Sequence, residues 1–389
     1  LIQQRVHYGT TQQLIPLYDA LLYQSSTEDE DMKLNITQLI TKYGFPVEVH
    51  EVTTEDGYVL TMHRIPGKGK PVFLMHGILM SSVDWITNGP EYALPYYLAK
   101  MDYDVWLGNA RGNRYSRKRV DLEPDCAEFW DFSWHEIGVY DLPASIDYIL
   151  KKTGHDKLSY IGHSQGTTAA FVMGSELPDY NKKLNVFIAF APAAWLCHAR
   201  NPIFRFLSLN PGFFYTLYGD HEVDENNVYS KKISDIICAN NPLGKIICAN
   251  IIFKLSGYGC GRLNIVKVPV IRAHKPSGSS VKQLVHYGQV IRSCEFKQFD
   301  YGTDKNKVVY GTEQPPAYEV EKVSAPVALF YSYYDWLVNA TDVDTLKGKL
   351  PNVIASNVMD HFNHVDYLFG KNLEKVLFTN VSAILQTYG

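Results

Sequence analysis

The sequence predicts an α/β fold with a mostly parallel central sheet. Two observations lead to this class: short apolar runs typical of buried strands, and longer helical patterns that separate them. Strands that alternate with helices indicate βαβ units, which build a parallel sheet covered by helices on both faces. The buried-strand runs are residues 71–75, 104–107, 158–161, 186–191 and 327–331, and the helical patterns are residues 92–101, 137–152, 167–177, 343–350 and 373–387.

The predicted core is preceded by a hairpin and interrupted once. Residues 47–53 and 59–65 flank the turn Glu55-Asp56-Gly57, which predicts a β-hairpin. Between Trp195 and Ser324 the alternation stops, in a stretch that holds five of the six cysteines. We interpret it as a cap inserted between two core strands. The predicted domains are an N-terminal arm at 1–34, a first core part at 35–194, a cap or lid insertion at 195–324 and a second core part at 325–389.

Composition argues against several function classes. The net charge is −4 and no basic stripe is present, so we expect no nucleic-acid binding. No apolar run approaches the roughly 18–20 residues that a membrane-spanning helix needs. There is no CxxC pair, and the histidines lack metal-ligand spacing, so we expect no metal site.

The pattern G-x-S-x-G marks a candidate nucleophile. Gly162-His163-Ser164-Gln165-Gly166 follows an apolar strand run and precedes a helix of small residues. This strand–turn–helix context is that of the nucleophile elbow in the α/β-hydrolase fold, which presents a serine at the carboxyl edge of the sheet. Ser164 is therefore the predicted nucleophile.

An acyl-transfer serine also needs N–H donors for the oxyanion that forms in the reaction. One donor should be the backbone N–H of Gln165, the residue after the nucleophile. The second should come from the loop after an earlier strand, where His76-Gly77-Ile78-Leu79 stands. Ile78 N–H is the candidate.

In this fold the acid and the base follow the serine in the chain, in that order. Residues 327–331 lead to Asp335, which is placed as the acid that ends a late strand. Asp342 and Asp344 lie at the start of the next helix, where carboxylates cap the helix and interact with its dipole. His361 and His364 both follow the last predicted strand, at 353–359, and are the candidates for the base.

Cysteines and glycosylation sequons favour a secretory or endolysosomal route, or a storage-granule lumen. Cys238 and Cys248 lie close enough in sequence to close a short loop, and Cys248–Cys260 is the alternative pairing. The sequons begin at Asn35, Asn339 and Asn380.

These motifs together resemble the acid lipase family, which includes gastric lipase and lysosomal acid lipase. The resemblance runs from about residue 35 to the C-terminus. Its main stretches are TEDGYVL at 54–60, FLMHGIL at 73–79, GNARGNRYSRK at 108–118, FWDFSW at 129–134, YDLP at 140–143, GHSQGTT at 162–168, PSGSSV at 276–281, DWL at 335–337 and NHVD at 363–366.

The resemblance implies a function and a set of site residues. Ser164, Asp335 and His364 match the family triad, which favours His364 over His361, and Ile78 and Gln165 match the oxyanion donors. The family hydrolyses triacylglycerols and cholesteryl esters without a metal or an organic cofactor. Cys238 and Cys248 look like its cap disulfide.

The sequence also departs from the family at two places. Ser332 and Tyr333 replace a Gly-Gly pair that usually precedes the acid, and the lid segment at 220–235 is polar where the family's is apolar. A polar lid predicts weak activation at lipid surfaces, unless the apolar residues 246–255 supply a lipid-seeking face.

Three functions are consistent with these observations. The first is a serine hydrolase that cleaves carboxylic esters of lipids, with a lipid ester or lipid surface as partner. The alternative from another class is a lipase-derived storage or lipid-carrying protein with low or no turnover. A weaker third is a carboxylesterase for small esters.

Overall fold

The sheet is mostly parallel, as the sequence predicts. The computed structural model describes residues 30–210, 215–216, 218–223, 256–257 and 261–389. The strands are β1 (Glu48–Thr53), β2 (Tyr58–Ile65), β3 (Pro71–Met75), β4 (Asp104–Leu107), β5 (Lys118–Arg119), β6 (Leu158–His163), β7 (Leu184–Phe190), β8 (Val327–Tyr331) and β9 (Val353–Val358). Within that part of the chain they form one sheet in the order β1-β2-β4-β3-β6-β7-β8-β9, with β5 beside β2. Every pair from β4 through β9 is parallel, whereas β2 runs antiparallel to its neighbours.

Helices lie between the strands along the chain. They are α1 (Ile36–Lys42), α2 (Leu94–Lys100), α3 (Trp134–Glu136), α4 (Leu142–Thr153), α5 (Gln165–Glu176), α6 (Pro202–Leu209), α7 (Val268–Ala273), α8 (Val281–Ser293), α9 (Thr303–Tyr310), α10 (Ala340–Lys349), α11 (Asp366–Phe369) and α12 (Thr379–Tyr388). π-helical turns at Ile137–Asp141 and Glu374–Phe378 lead into α4 and α12. The strands β3, β4, β6 and β8 are buried along their whole length, as expected for parallel strands covered by helices.

A buried arginine ties together three stretches that are far apart in sequence. Arg111 Nε donates to Asp141 Oδ1 at 2.7 Å, and Arg111 Nη2 donates to Asp56 Oδ1 at 2.8 Å. Its guanidinium carbon lies 4.1 Å from the centre of the Tyr58 ring. The hairpin turn, the loop after β4 and the start of α4 are thereby fixed to one another, and each belongs to a motif of the sequence resemblance.

The end of the predicted N-terminal arm packs against the protein. Asp31 is 1% exposed, and its carboxylate binds Lys42 Nζ at 2.7 Å and Lys267 Nζ at 3.2 Å. Two cations offset the cost of burying one carboxylate. The arm boundary at residue 34 stays a prediction, but Asp31 is packed against the rest of the protein.

Helices α6 to α9 lie between β7 and β8, in the stretch where the sequence predicts an inserted cap. A disulfide joins Cys197 to Cys294, a pairing that sequence reasoning missed. The predicted Cys238–Cys248 bridge falls outside the described residues, as do Cys260 and most of the polar and apolar segments at 220–235 and 246–255. The domain boundaries stay predictions.

Candidate active site

Ser164 lies at a strained turn between β6 and α5. Its φ is +52° and its ψ is −115°, a conformation that costs a non-glycine residue free energy and that clusters at functional sites. The side chain is 7% exposed. As the residue before α5, Ser164 also stands at the positive end of a helix dipole.

The two glycines of the G-x-S-x-G pattern are required by packing. A Cβ at Gly166 would lie 2.4 Å from Met75 O, and one at Gly162 would lie 2.8 Å from Gly166 C. Both distances are shorter than the non-bonded contacts that a Cβ atom makes. The elbow therefore packs directly on the end of β3, and this close approach brings the loop after β3 beside the serine.

The three predicted triad side chains meet in one hydrogen-bonded line. His364 Nε2 lies 2.8 Å from Ser164 Oγ, and His364 Nδ1 lies 2.8 Å from Asp335 Oδ2. A carboxylate only accepts, so Nδ1 carries the proton and Nε2 faces the serine hydroxyl as an acceptor. Exposures of 5% for His364 and 1% for Asp335 keep this line out of water.

The loop after β8, residues 332–338, is called the acid loop because it carries Asp335. Its backbone binds the second carboxylate oxygen of Asp335. Asp335 Oδ1 accepts the N–H groups of Leu337 at 2.8 Å and Val338 at 2.9 Å. Of the residues that replace the Gly-Gly pair, Ser332 is fully buried and its hydroxyl accepts from Tyr334 N at 3.2 Å, whereas Tyr333 is 61% exposed.

The competing candidates lie elsewhere. Asp342, in the first turn of α10, binds His198 Nδ1 at 2.8 Å. His361 contacts the Tyr334 ring, with 4.3 Å between ring centres, and pairs with Asp360 at 3.4 Å. The structure therefore brings His364, and neither His361 nor Asp342, into the site.

A reciprocal set of hydrogen bonds fixes the loop that carries His364. Asp366 N donates to Asn363 Oδ1 at 3.1 Å, and Asn363 N donates to Asp366 Oδ2 at 2.8 Å. This is the reciprocal pattern of a capping box, formed in the turn that precedes α11, whose own N-cap residue Val365 makes no side-chain hydrogen bond. Burial raises the pKa of Asp366 to about 7. Sequence reasoning missed this box, although the spacing Asn363-x-x-Asp366 was a signal for it.

The loop after β3 is held by a neutral histidine. His76 Nδ1 donates to Gly77 O at 2.8 Å, and His76 Nε2 accepts from Ala110 N and from Asn113 Nδ2, both at 3.1 Å. Burial lowers the pKa of His76 to about 4, so the ring stays neutral and can accept at Nε2. The ring therefore links this loop to the loop after β4.

The two predicted oxyanion donors flank the serine. A Cβ on Gly77 would lie 3.2 Å from Ser164 Cβ, so the peptide that Gly77 shares with Ile78 is beside the nucleophile. Among the residues the structure describes, no backbone oxygen accepts the Ile78 N–H. Gln165 is the first residue of α5, where an N–H lacks an acceptor in its own helix.

A cavity of about 480 Å³ opens onto Ser164 and His364. Its remaining wall is mainly apolar and comes from the loops after β3, β8 and β9, the segment after β7, and helices α6, α7, α8 and α11. Apolar and aromatic residues of the wall include Ile78, Leu79, Met80, Ala193, Leu196, Phe204, Ile271, Tyr287, Ile291, Leu337, Val338, Val365 and Phe369, and Arg272 and Lys275 also line it.

The described part of the chain shows neither a membrane-spanning helix nor a cluster of metal ligands. No helix in it is long and apolar enough to cross a bilayer. No group of three or more His, Cys, Asp or Glu side chains in it is arranged to hold a metal ion.

Comparison with known proteins places this chain in a family. The chain matches the family model of the partial alpha/beta-hydrolase lipase region over residues 36–89, and that of the alpha/beta hydrolase fold over residues 70–371. A solved structure of a Burkholderia cenocepacia protein proposed to be an aryl esterase shares the fold. Its TM-score is 0.51 at 16% identity, over 88% of this chain and 99% of that chain.

Curated relatives are much more similar in sequence. Lipase 1 of Drosophila melanogaster is 41% identical over 360 residues, which are 92% of this chain and 80% of that protein. Human gastric triacylglycerol lipase is 35% identical over 365 residues, 91% of this chain and 92% of that protein. Human lysosomal acid lipase/cholesteryl ester hydrolase is 35% identical over 370 residues, 92% of each chain. The chain belongs to the acid lipase family, a family of carboxylic ester hydrolases built on the α/β-hydrolase fold.

Proposed function

We propose that the protein hydrolyses carboxylic esters of lipids through an acyl-enzyme on Ser164. The observation that carries this proposal is the hydrogen-bonded line from Ser164 through His364 to Asp335, with 2.8 Å at each step. A nucleophile, a base and a group that orients the base are the three parts that serine acyl transfer requires.

In the first half-reaction, Ser164 Oγ attacks the ester carbonyl carbon while His364 Nε2 takes the hydroxyl proton. Asp335 keeps the ring in the productive tautomer and stabilises the imidazolium that forms. The carbonyl oxygen becomes an oxyanion and accepts hydrogen bonds from the N–H groups of Ile78 and Gln165. When the intermediate collapses, the ester C–O bond breaks and His364 gives its proton to the departing alcohol.

The second half-reaction repeats these steps with water. His364 Nε2 takes a proton from the water as its oxygen attacks the acyl carbon, and the same two N–H groups bind the new oxyanion. Collapse breaks the bond to Ser164 Oγ, which regains its proton from His364. The products are an alcohol and a carboxylic acid, and the reaction balances with one water molecule consumed per ester cleaved.

The cavity supports a lipid acyl group as the part of the substrate that binds beside Ser164. A mainly apolar wall around a space of about 480 Å³ favours an acyl chain, because burying apolar surface is worth about 25 cal/mol per Å². The names of the gastric and lysosomal relatives support triacylglycerols or cholesteryl esters as the class. The geometry of the described residues favours hydrolysis over the storage alternative, since a carrier needs no hydrogen-bonded Ser–His–Asp line.

A secretory or endolysosomal location completes the proposal. The Cys197–Cys294 disulfide supports an oxidising compartment, and so do the relatives named as gastric and lysosomal. Asn35 and Asn380 are exposed and remain candidate glycosylation sites. Asn339 is 6% exposed, and its side-chain oxygen accepts from Thr341 N at 2.9 Å, so burial disfavours a glycan there.

The decisive experiment measures hydrolysis of short-chain and long-chain p-nitrophenyl esters at acidic and neutral pH. We expect Ser164→Ala to abolish hydrolysis and Ser175→Ala to leave it intact, because Ser175 is a buried serine at the far end of α5 that donates to Phe171 O. Mass spectrometry after treatment with an organophosphonate should find the adduct on Ser164. Hydrolysis that survives Ser164→Ala, or folded protein without the adduct, would refute the proposal.

A further inference from the structure

The backbone of His364 is held at both of its polar groups by other parts of the chain. Its N–H donates to Ser256 O at 3.1 Å, and its C=O accepts from His163 Nε2 at 2.8 Å. The first contact comes from the stretch between β7 and β8, and the second from the end of β6. Both contacts come from outside the loop that carries His364. They therefore restrain this loop in addition to the reciprocal bonds between Asn363 and Asp366.

His163 is placed to serve as a fixed donor. It is fully buried, and burial lowers its pKa well below the usual value, so the ring is neutral. A carbonyl oxygen only accepts, so the single ring proton is on Nε2. Its ring centre lies 5.2 Å from that of His364, and a Cβ on Gly77 would lie 3.1 Å from its Nδ1. His163 thus packs between the base and the loop after β3. It precedes Ser164 in the chain but is not itself a nucleophile.

Ser256 and Gly257 contact the acid loop as well as the base. Ser256 O also accepts from Trp336 N at 3.3 Å, the residue that follows Asp335. Gly257 has a φ of +108°, and a Cβ there would lie 2.2 Å from Tyr334 O. Only glycine allows this approach, both because of its positive φ and because the carbonyl occupies the space.

We propose that His163 and the pair Ser256–Gly257 are positioning residues that together clamp the peptide of the base and hold its ring between Ser164 and Asp335. This inference rests on the proposed function, because it assigns the clamp to His364 as the general base. His163 and Gly257 act through His364 and need not touch the substrate. Loss of either contact lets the loop shift, and a displacement of about 1 Å in a catalytic group can lower a rate by about 100-fold.

The first test compares two substitutions of His163. His163→Leu removes the donor, whereas His163→Gln keeps an N–H near the position of Nε2. For His163→Leu we expect kcat to fall about 10- to 100-fold with KM nearly unchanged, because the base is misplaced while the apolar cavity stays. His163→Gln should restore most of kcat. An unchanged kcat in His163→Leu, or no recovery in His163→Gln, would overturn the role of His163.

The second test uses a matched pair of glycines. Gly257→Ala places a methyl group against Tyr334 O, whereas Gly261→Ala also changes a glycine of positive φ, +72°, but meets no atom of the described residues within 4 Å of the new Cβ. We expect Gly257→Ala to lower kcat and Gly261→Ala to leave it unchanged. Equal effects would show that backbone strain, and not the contact with the acid loop, is responsible. If the protein substituted at His163 or at Gly257 fails to fold, the substitution at the other residue still tests the proposal, because the two contacts with His364 are separate.

A readout that does not depend on turnover separates this inference from the proposed function. The proton on His364 Nδ1, hydrogen-bonded to Asp335, should give a low-field NMR signal in the wild-type protein. The signal should be lost or broadened in His163→Leu and Gly257→Ala, and kept in His163→Gln and Gly261→Ala. Absence of Ser164-dependent hydrolysis would refute the function alone, whereas a signal unchanged in all four proteins would refute the clamp.

Discussion

Replacement of Arg111 by methionine should destabilise the fold strongly, because it leaves a buried carboxylate without its cation. Arg111 and Asp141 have side chains that are each 1% exposed, and Asp141 accepts from Arg111 N at 2.9 Å and from Arg111 Nε at 2.7 Å. Breaking such a pair by removing one partner costs about 3–5 kcal/mol. Asp56 adds little, because its side chain is 26% exposed and water can solvate it.

Urea unfolding at about pH 7.5 measures this loss, and Arg119→Met is the matched control. Arg119 also lies over the Tyr58 ring, at 5.2 Å, and donates to Asp56 O at 3.2 Å, but its side chain is 22% exposed. We expect Arg119→Met to cost less than about 1 kcal/mol, as is usual for partly exposed pairs. The double substitution Arg111→Met with Asp141→Asn should recover much of the loss, because it removes the unpaired charge.

The deficit of Arg111→Met should also depend on pH. Burial raises the pKa of Asp141 to about 6 even beside the guanidinium, and removal of the cation raises it further. A carboxyl whose folded-state pKa exceeds its unfolded value stabilises the fold at low pH and loses that contribution as pH rises. The deficit should therefore shrink from pH 8 toward pH 5. A loss below about 1 kcal/mol, or one equal to that of Arg119→Met, would refute the reasoning.

The remaining predictions concern the acid, its neighbour and the disulfide. Asp335→Asn should keep the fold and lower kcat by about 10³- to 10⁴-fold, and near-normal ester hydrolysis would mean that another group orients the base. Asp366→Asn should be more stable than wild type at pH 8 and lose that advantage toward pH 4, because the folded-state pKa of about 7 lies above the unfolded value; equal pH profiles in thermal unfolding would contradict this. Cys197→Ser with Cys294→Ser removes a bridge across 97 residues and should lower the free energy of unfolding by up to about 4–5 kcal/mol, whereas an unchanged urea midpoint would show that the bridge does not restrict the unfolded chain.

The strands that hold the site were accessible from the sequence because each has a strong local signal. β3, β4 and β8 begin and end where the apolar runs do. β6 is longer than its apolar run and ends at His163, the residue before Ser164. Chain order and the strand–turn–helix context then indicated Ser164 and Asp335, since parallel strands put their carboxyl ends at one edge. The choice of His364 over His361 needed the family resemblance, because both follow β9 within a few residues.

Features that depend on tertiary contacts could not be predicted from the sequence. Cys197 and Cys294 are brought together by the fold, and no local spacing distinguishes their pairing from others. The sequon at Asn339 likewise does not indicate that this residue is buried. His163 occupies a variable position of G-x-S-x-G, so the pattern assigns it no role, and its contact with the backbone of His364 becomes visible only when the site is assembled.

The members of the triad are far apart along the chain, and this distance determines when activity appears during folding. Ser164 and His364 are 200 residues apart, and β7, the stretch that carries α6 to α9, β8 and β9 all separate them. Contacts between distant residues form late in folding, because loop closure must come first. A growing or refolding chain should therefore contain a complete elbow long before it contains a working hydrolase. Recovery of esterase activity during refolding would then report the docking of the last strand and its loop, and would lag behind spectroscopic signals of collapse and helix formation.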